Sequence, residues 1–392
     1  MWNNVEAAPE DAILGLTEAF KKDPRDFKVN LGVGVYKDAA GNTPILPSVR
    51  TAEKKIFETE VTKNYLPIAG DAAYGVVVQK LIFGNLCDRS ATVHTPGGTG
   101  ALRLGAELIA RFNGNTIWVS NPTWANHHNI FKAAGLTVNE YPYYNPQTKD
   151  LDADAFFAAL EKIPAGHAVL LHACCHNPSG VDLTNEQWER TAAIAKKNGW
   201  FPLVDFAYQG FGSGLAADRA GIEILRAAGV EFLIASSFSK NFGLYRDRTG
   251  ALTAVAANAG AAETAMSHMK AQARVLYSNP PAHGGMIVTT IMNNPELEKI
   301  WHAELDDMCS RIAKARTALA DGLAARDVKM DCSFMTRQKG MFSFSGLNKT
   351  QVEFLRKEKA VYIVGSGRIS VAGITPSNLE TVCDAIAEAF TI

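Results

Sequence analysis

Short apolar runs alternate with stretches of helical periodicity through the middle of the chain. Thr116-Ile117-Trp118-Val119, Ala168-Val169-Leu170-Leu171, Phe201 to Val204 and Phe232 to Ala235 are long enough for buried strands and short for buried helices. Leu252-Thr253-Ala254-Val255 adds another such run. Between them, Leu102 to Ile109 and Glu186 to Asn198 carry apolar residues at helical spacing, the second with Trp188, Ile194 and Ala195 on one face. This alternation predicts a mainly parallel sheet covered by helices, an α/β architecture.

The pattern changes after Pro295. Leu297, Ile300, Leu305, Met308, Ile312, Leu319 and Leu323 recur near helical spacing and predict one inward-facing helix of about 30 residues. So long a helix suits a spine joining two lobes. A last helix is expected near the C-terminus, with Thr375 as N-cap, Pro376 in its first turn, and Leu379, Val382, Ile386 and Phe390 inward. A chain of 392 residues exceeds one compact core. Without repeats or a low-complexity linker, the second lobe is expected to be discontinuous. The expected division is a large domain over 45–310 and a smaller α+β domain made of 1–44 and 311–392.

Composition narrows the class. The chain is 47% hydrophobic and 20% charged, with Lys+Arg 39 against Asp+Glu 40 and a net charge of −1. No basic excess points to nucleic acid or a membrane surface, and no apolar stretch approaches membrane-spanning length. The start, Met1-Trp2-Asn3-Asn4-Val5-Glu6, lacks the basic region and apolar stretch of a signal peptide. The six cysteines are scattered, and the adjacent Cys174 and Cys175 suit neither a disulfide nor zinc. No metal is expected, and reduced thiols in a cytoplasm fit this usage.

The chemistry concentrates at the ends of the apolar runs. The run Glu231 to Ala235 leads into Ser236-Ser237-Phe238-Ser239-Lys240-Asn241-Phe242-Gly243, so an amine emerges at a strand end. Apolar walls desolvate such an amine, lower its pKa and make it a nucleophile. Trp200 to Asp205 is a second run, and it ends in a carboxylate. A lysine and an aspartate closing neighbouring strands are what a pyridoxal phosphate (PLP) enzyme needs: one forms the Schiff base, the other keeps the pyridine nitrogen protonated. Taken singly, they also read as a surface lysine and a strand-end aspartate capping a helix.

Thr95-Pro96-Gly97-Gly98-Thr99-Gly100 precedes the Leu102 helix, where glycines free backbone N–H groups to approach an anion. It is neither a Walker loop nor a dinucleotide fingerprint, and a plain glycine turn explains it equally well. Ser237, Ser239 and Arg248 could complete a phosphate cup. Tyr208 follows Asp205 on a turn leaving the strand, where its phenol could reach the hydroxyl side of a cofactor ring. Asn177, in Cys174-Cys175-His176-Asn177-Pro178-Ser179-Gly180, could reach the same oxygen, although Asn-Pro-Ser-Gly alone is a turn.

Taken in order, Pro-Gly-Gly-Thr-Gly-Ala, Cys-Cys-His-Asn-Pro-Ser-Gly, Asp-Phe-Ala-Tyr-Gln-Gly-Phe, Ser-Ser-Phe-Ser-Lys-Asn-Phe-Gly, Tyr-Ser-Asn-Pro-Pro-Ala-His-Gly and Gly-Ser-Gly-Arg-Ile-Ser-Val-Ala-Gly resemble the aspartate/aromatic aminotransferase family, PLP enzymes of fold type I. The resemblance runs from Val29 to Gly373. It implies that Lys240 is the Schiff-base lysine and proton carrier, and Asp205 the pyridinium partner. Asn177 and Tyr208 become donors to the ring phenolate. Gly98, Thr99, Ser237, Ser239 and Arg248 form the phosphate cup, Trp124 stacks on the ring, and His127 and His172 steady Asp205.

The same resemblance implies that Arg368 grips the substrate α-carboxylate, with a backbone contact from Gly34. Arg274 pairs with the distal carboxylate. Arg274 and Tyr65 reach into the neighbouring subunit's site, which implies a homodimer with shared sites acting on amino and keto acids. Small departures, Ala125 after Trp124, Ser179 for the usual threonine and Phe238 among varied aromatics, touch no proton-transfer role.

Val35, Lys37, Thr43, Asn64, Thr99 and Asn279 are similar to the set in aspartate-preferring bacterial members. The expectation is ping-pong transamination of L-aspartate with 2-oxoglutarate, with aromatic amino acids as the alternative donors. The fold type also hosts decarboxylases and lyases, which usually lack the paired arginines.

Overall fold

The computed structural model describes residues 2–7, 14–326 and 328–392, with the backbone alone for Leu14. These residues fall into two compact units, one of 43–310 with 338–340, the other of residues up to 42 with 311–337 and 341–392.

The larger unit is built on a sheet that has seven strands among the described residues. These are β1 (Ser90–Pro96), β2 (Thr116–Asn121), β3 (Thr137–Pro142), β4 (Ala168–His172), β5 (Phe201–Phe206), β6 (Phe232–Ser237) and β7 (Thr249–Val255), in the order β1-β7-β6-β5-β4-β2-β3. Strands β6, β5, β4, β2 and β3 run parallel, and β7 lies antiparallel to both β6 and β1. The five apolar runs of the sequence all lie in this sheet. Strands β1 and β3 had no such signal. In β1 the hydroxyls of Thr92 and Thr95 and the ring of His94 interrupt the apolar residues. In β3, an edge strand, only Tyr141 is buried.

Helix α1 (Gly97–Phe112) lies against β7, β6 and β5 and buries Leu102, Leu104, Ala106 and Ile109 in the core with Leu203, Leu233 and Leu252. Each such leucine stabilises the fold by about 1.5–3 kcal/mol. The helix starts at Gly97, not near Leu102, so the glycines expected as a preceding loop form its first turn. Helix α2 (Asn126–Ala133) follows β2. Helix α3 (Asn185–Asn198) has a capping box between Thr184 and Gln187 and ends at Gly199, whose φ of 72° only glycine adopts freely. Helix α4 (Ala259–Leu276) follows β7.

Helix α5 (Pro295–Ala324) has the expected 30 residues and contributes to both units. Leu297, Leu305 and Met308 are buried in the larger unit, and Ile312, Leu319 and Leu323 in the smaller. Ile300 departs from the expectation and is 43% exposed. Trp301 turns inward instead, because its Nε1 finds the carbonyl of Asn241 at 2.8 Å and its ring stacks on Phe242 at 4.3 Å. An indole with a buried partner thereby fastens the turn that follows Lys240.

In the smaller unit, Val29–Asn30 pairs in parallel with Val361–Tyr362, and Phe342–Phe344 pairs antiparallel with Arg368–Ser370. Helices α6 (Lys349–Lys359) and α7 (Leu379–Ala389) close a core of Leu31, Leu319, Phe334, Leu355, Ile369, Val382 and Ile386. Thr375 is not the N-cap of α7. Its hydroxyl pairs with Ser377 at 2.9 Å, its carbonyl accepts from Asn378 and Leu379, and the regular helix begins after that turn.

Candidate active site

In an open parallel sheet, the carboxyl ends of the strands leave a crevice that loops and helix N-termini can line. Register places Asp205 opposite His172 on β4 and opposite Ala235 on β6, so three parallel strands finish together. Lys240 lies three residues beyond the end of β6, in the turn held by Trp301.

Asp205 is 8% exposed. Its Oδ2 lies 3.2 Å from His127 Nε2, and Thr123 Oγ1 lies 2.8 Å from His127 Nδ1. An ionised carboxylate can only accept, so Nε2 carries the proton, and in a neutral ring Nδ1 accepts from the Thr123 hydroxyl. Burial opposes the charge on Asp205, but the hydrogen bond from His127, followed by charge interactions with His127, His172 and lastly Lys240, more than offsets it. The carboxyl lies below its ordinary value and is ionised at neutral pH. His172 meets His127 edge-on at 5.4 Å, and burial pushes it down to about 3, so it is neutral. Trp124 meets the His127 ring edge-on at 5.2 Å.

The Lys240 amine lies 4.8 Å from the centre of the Tyr208 ring, within range of a cation–π contact. Tyr208 OH and Asn177 Nδ2 are 3.5 Å apart, so a phenol and an amide stand side by side. Asp205, Asn177, Tyr208 and Lys240 are therefore gathered at one end of the sheet, all but the partly exposed Lys240 buried.

A second cluster forms at the N-terminus of α1. A Cβ on Gly97 would lie 2.6 Å from Arg248 Nη2, and one on Gly98 would lie 2.9 Å from Ser237 Cβ. Gly97 has a φ of +75° that side chains rarely adopt, and Gly98 leaves no room for a Cβ beside Ser237. Arg248 has φ of +54°, a left-handed conformation costing a non-glycine residue about 1–2 kcal/mol, and donates to the Tyr245 carbonyl at 3.0 Å. Ser239 N–H donates to Ser237 Oγ at 3.4 Å. Helix N–H groups, two serines and a guanidinium here favour an anion. Thr99 lies in the same first turn.

The remaining predicted residues lie elsewhere. Arg368, 4% exposed, sits in the smaller unit, where Nη2 donates to the Gly32 carbonyl at 2.6 Å and the guanidinium lies 4.2 Å over the Phe342 ring. Gly34 packs on that same ring, since a Cβ there would meet Phe342 Cζ at 2.6 Å. Tyr65 is 91% exposed. Arg274 is exposed on the last turn of α4 and hydrogen-bonds the Ser278 hydroxyl. Neither joins the buried cluster at the sheet end. Thr123 and Trp301 were not anticipated as supports of the site, since each acts through a neighbour.

This α/β fold with a lysine and an ionised aspartate at adjoining strand ends has many relatives. The family profile described as aminotransferase class I and II matches residues 27–386. The aspartate aminotransferase of Escherichia coli is 49% identical, covering 98% of this chain and 99% of its own. The aromatic-amino-acid aminotransferase of Pseudomonas aeruginosa is 46% identical, covering 98% of each chain. A solved structure of an aromatic-amino-acid aminotransferase from Burkholderia pseudomallei, covalently bound to pyridoxal phosphate, superposes with a TM-score of 0.96 at 43% identity, covering 100% of this chain and 99% of that one. The chain belongs to the class I aminotransferase family, among the aspartate and aromatic-amino-acid aminotransferases, and is an enzyme that transfers amino groups between amino acids and keto acids. No helix among the described residues is long and apolar enough to cross a membrane.

Proposed function

We propose that the chain catalyses PLP-dependent, ping-pong transamination of L-aspartate with 2-oxoglutarate, yielding oxaloacetate and L-glutamate. The observation that carries this reading is the Lys240 amine at 4.8 Å from the buried Tyr208 ring, beside the buried, ionised Asp205. The donor set fits PLP end to end. The glycine-lined start of α1, where a Cβ on Gly97 would clash with Arg248, is a cradle for a phosphate, held by Gly98, Thr99, Ser237, Ser239 and Arg248. Asp205 would face the pyridine nitrogen, Asn177 and Tyr208 the phenolic oxygen, Trp124 the ring face and Lys240 the reactive carbon. When bound, PLP supplies an electron sink for the substrate Cα.

The chain's own residues do the rest. Asp205, kept ionised by His127, holds a proton on the ring nitrogen. The Lys240 amine would take the proton from the substrate Cα and give it up again, serving as general base and then general acid. Arg368 holds the α-carboxylate in its planar fork, with Gly34 beside it.

Arg274 and Tyr65 belong to this proposal as residues given to a neighbouring subunit's site. Their exposure, and that of Phe57 at 87%, Val61 at 95% and Val275 at 77%, supports a homodimer. The larger domain is proposed as the PLP-binding one. A cytoplasmic setting is part of the same reading and rests on the scattered cysteines. Aromatic donors are the second reading, because relatives of both names align over nearly the whole chain. Initial rates with L-aspartate and 2-oxoglutarate varied together should give parallel double-reciprocal lines. Intersecting lines, or no oxaloacetate, would remove the proposal.

A further inference from the structure

The two groups that stand side by side, Asn177 and Tyr208, lie on loops of different strands, and each loop is tied down by its own carboxylate. Asp182 Oδ2 accepts from the Cys175 N–H at 2.8 Å and Oδ1 accepts from the His176 N–H at 2.9 Å. Those are the two residues immediately before Asn177. Cys175 has φ of +51°, the left-handed region that disfavours a side chain, so without these bonds the turn would relax. His176 is fixed from both sides, with Nδ1 2.7 Å from Ser179 Oγ and Nε2 2.9 Å from Ser120 Oγ.

Asp218 serves the other loop. Its Oδ2 accepts from Gly210 at 2.8 Å and Gly212 at 2.9 Å, and its Oδ1 accepts from Ser213 at 2.7 Å. That loop begins two residues after Tyr208 and folds back on it, with Phe211 N–H donating to the Tyr208 carbonyl at 3.0 Å. The loops also meet, since Cys175 Sγ lies 4.0 Å from the Tyr208 carbonyl. Burial pushes the Asp182 carboxyl up to about 6 and Asp218 above its ordinary value, the backbone N–H groups work against that rise, and donors on both oxygens leave each carboxylate little freedom.

We propose that Asp182 and Asp218 are positioning residues, which set the Asn177 amide and the Tyr208 phenol beside each other so that both donate to one oxyanion. The inference rests on the proposed function, in which that oxyanion is the phenolate of PLP. Donation to an oxyanion lowers the pKa of the charged form it stabilises. Displacing either donor must therefore raise the apparent pKa of the visible band of the PLP-loaded enzyme. A carboxylate that merely stabilised its loop would leave that pKa alone.

The test is a spectroscopic pH titration of PLP-loaded wild type, Asp182→Asn, Asn177→Ala and the double variant, with melting temperatures measured in parallel. Asparagine keeps the shape of Asp182 but sets an N–H₂ against one of the two backbone N–H groups. The expected result is a rise of about one pH unit in Asp182→Asn, with little further rise on adding Asn177→Ala. Asp218→Asn should behave the same way toward Tyr208→Phe. Should Asp182→Asn fail to fold, Asp182→Glu keeps the charge, displaces the oxygens and must shift the band in the same direction. A normal wild-type band with an unmoved pKa in the Asp182 and Asp218 variants, whatever their melting temperatures, overturns the positioning role alone. Absence of a visible band in the wild type overturns both this inference and the proposed function.

Discussion

The imidazole of His127 reaches the carboxylate of Asp205 at 3.2 Å, linking the helix after β2 to the end of β5. The contact directs the acceptor and keeps it ionised where burial alone would not. Asp205→Asn removes the charge that holds a proton on the ring nitrogen and should lower kcat for L-aspartate by at least about a hundredfold. His127→Asn leaves the carboxylate in place and should cost less. Steady-state rates on the two variants check the order, and a larger loss at His127 would contradict it.

Arg368 is already committed to the Gly32 carbonyl and the Phe342 face, so its fork is held in one orientation. Lysine cannot reproduce a planar, two-pronged grip. Arg368→Lys is expected to lower kcat/KM for L-aspartate by about 10- to 100-fold, chiefly through KM. The measurement is a saturation curve, and an unchanged KM would remove Arg368 from substrate binding.

Buried histidines give the fold an acid limit. His94 is 1% exposed, its ring lies tilted against Tyr74 at 4.2 Å, and its ring nitrogens have no hydrogen-bond partner among the described residues. Burial pushes it down to about 4 from 6.5. Between those values the unfolded chain binds more protons than the folded one, so stability is full above 6.5 and falls as pH drops toward 4. At pH 5 the loss from this residue is about 2 kcal/mol. His94→Phe should flatten the fall between pH 7 and 5 in urea unfolding. An equally steep fall would show that other groups carry it.

The exposed Tyr65 and Arg274 carry the prediction about assembly. Lys240→Ala and Arg274→Ala should each be poor enzymes alone. If Arg274 serves the neighbouring subunit, hybrid dimers contain one site with both residues intact. An equal mixture, unfolded and refolded together, should regain about a quarter of wild-type activity. No recovery would place Arg274 in its own chain's site.

Much of this was legible because apolar runs and strand-end chemistry are local. Phe232 to Ala235 gave away a buried strand, and Lys240 followed it within a few residues. The antiparallel course of β7 was not legible, since direction depends on the connection and not on the run itself. Strands β1 and β3 were hidden by their threonines, His94 and an exposed edge. Gly97 to Gly100 looked like a loop because glycine is a poor helix former, yet the helix starts at Gly97 with a φ of +75° that favours glycine. The inward place of Trp301 over Ile300 was decided by a distant carbonyl, that of Asn241. Asp182 and Asp218 act on backbone N–H groups, which leave no trace in side-chain spacing.

The most direct test of the central claim is the visible absorbance of the PLP-loaded protein during titration with L-aspartate and, separately, with L-phenylalanine. Aspartate is expected to bleach the band at low concentration and phenylalanine only at high concentration. An equal or better response to phenylalanine would contradict the assignment to aspartate, and no visible band after PLP is added would contradict the role of Lys240 itself.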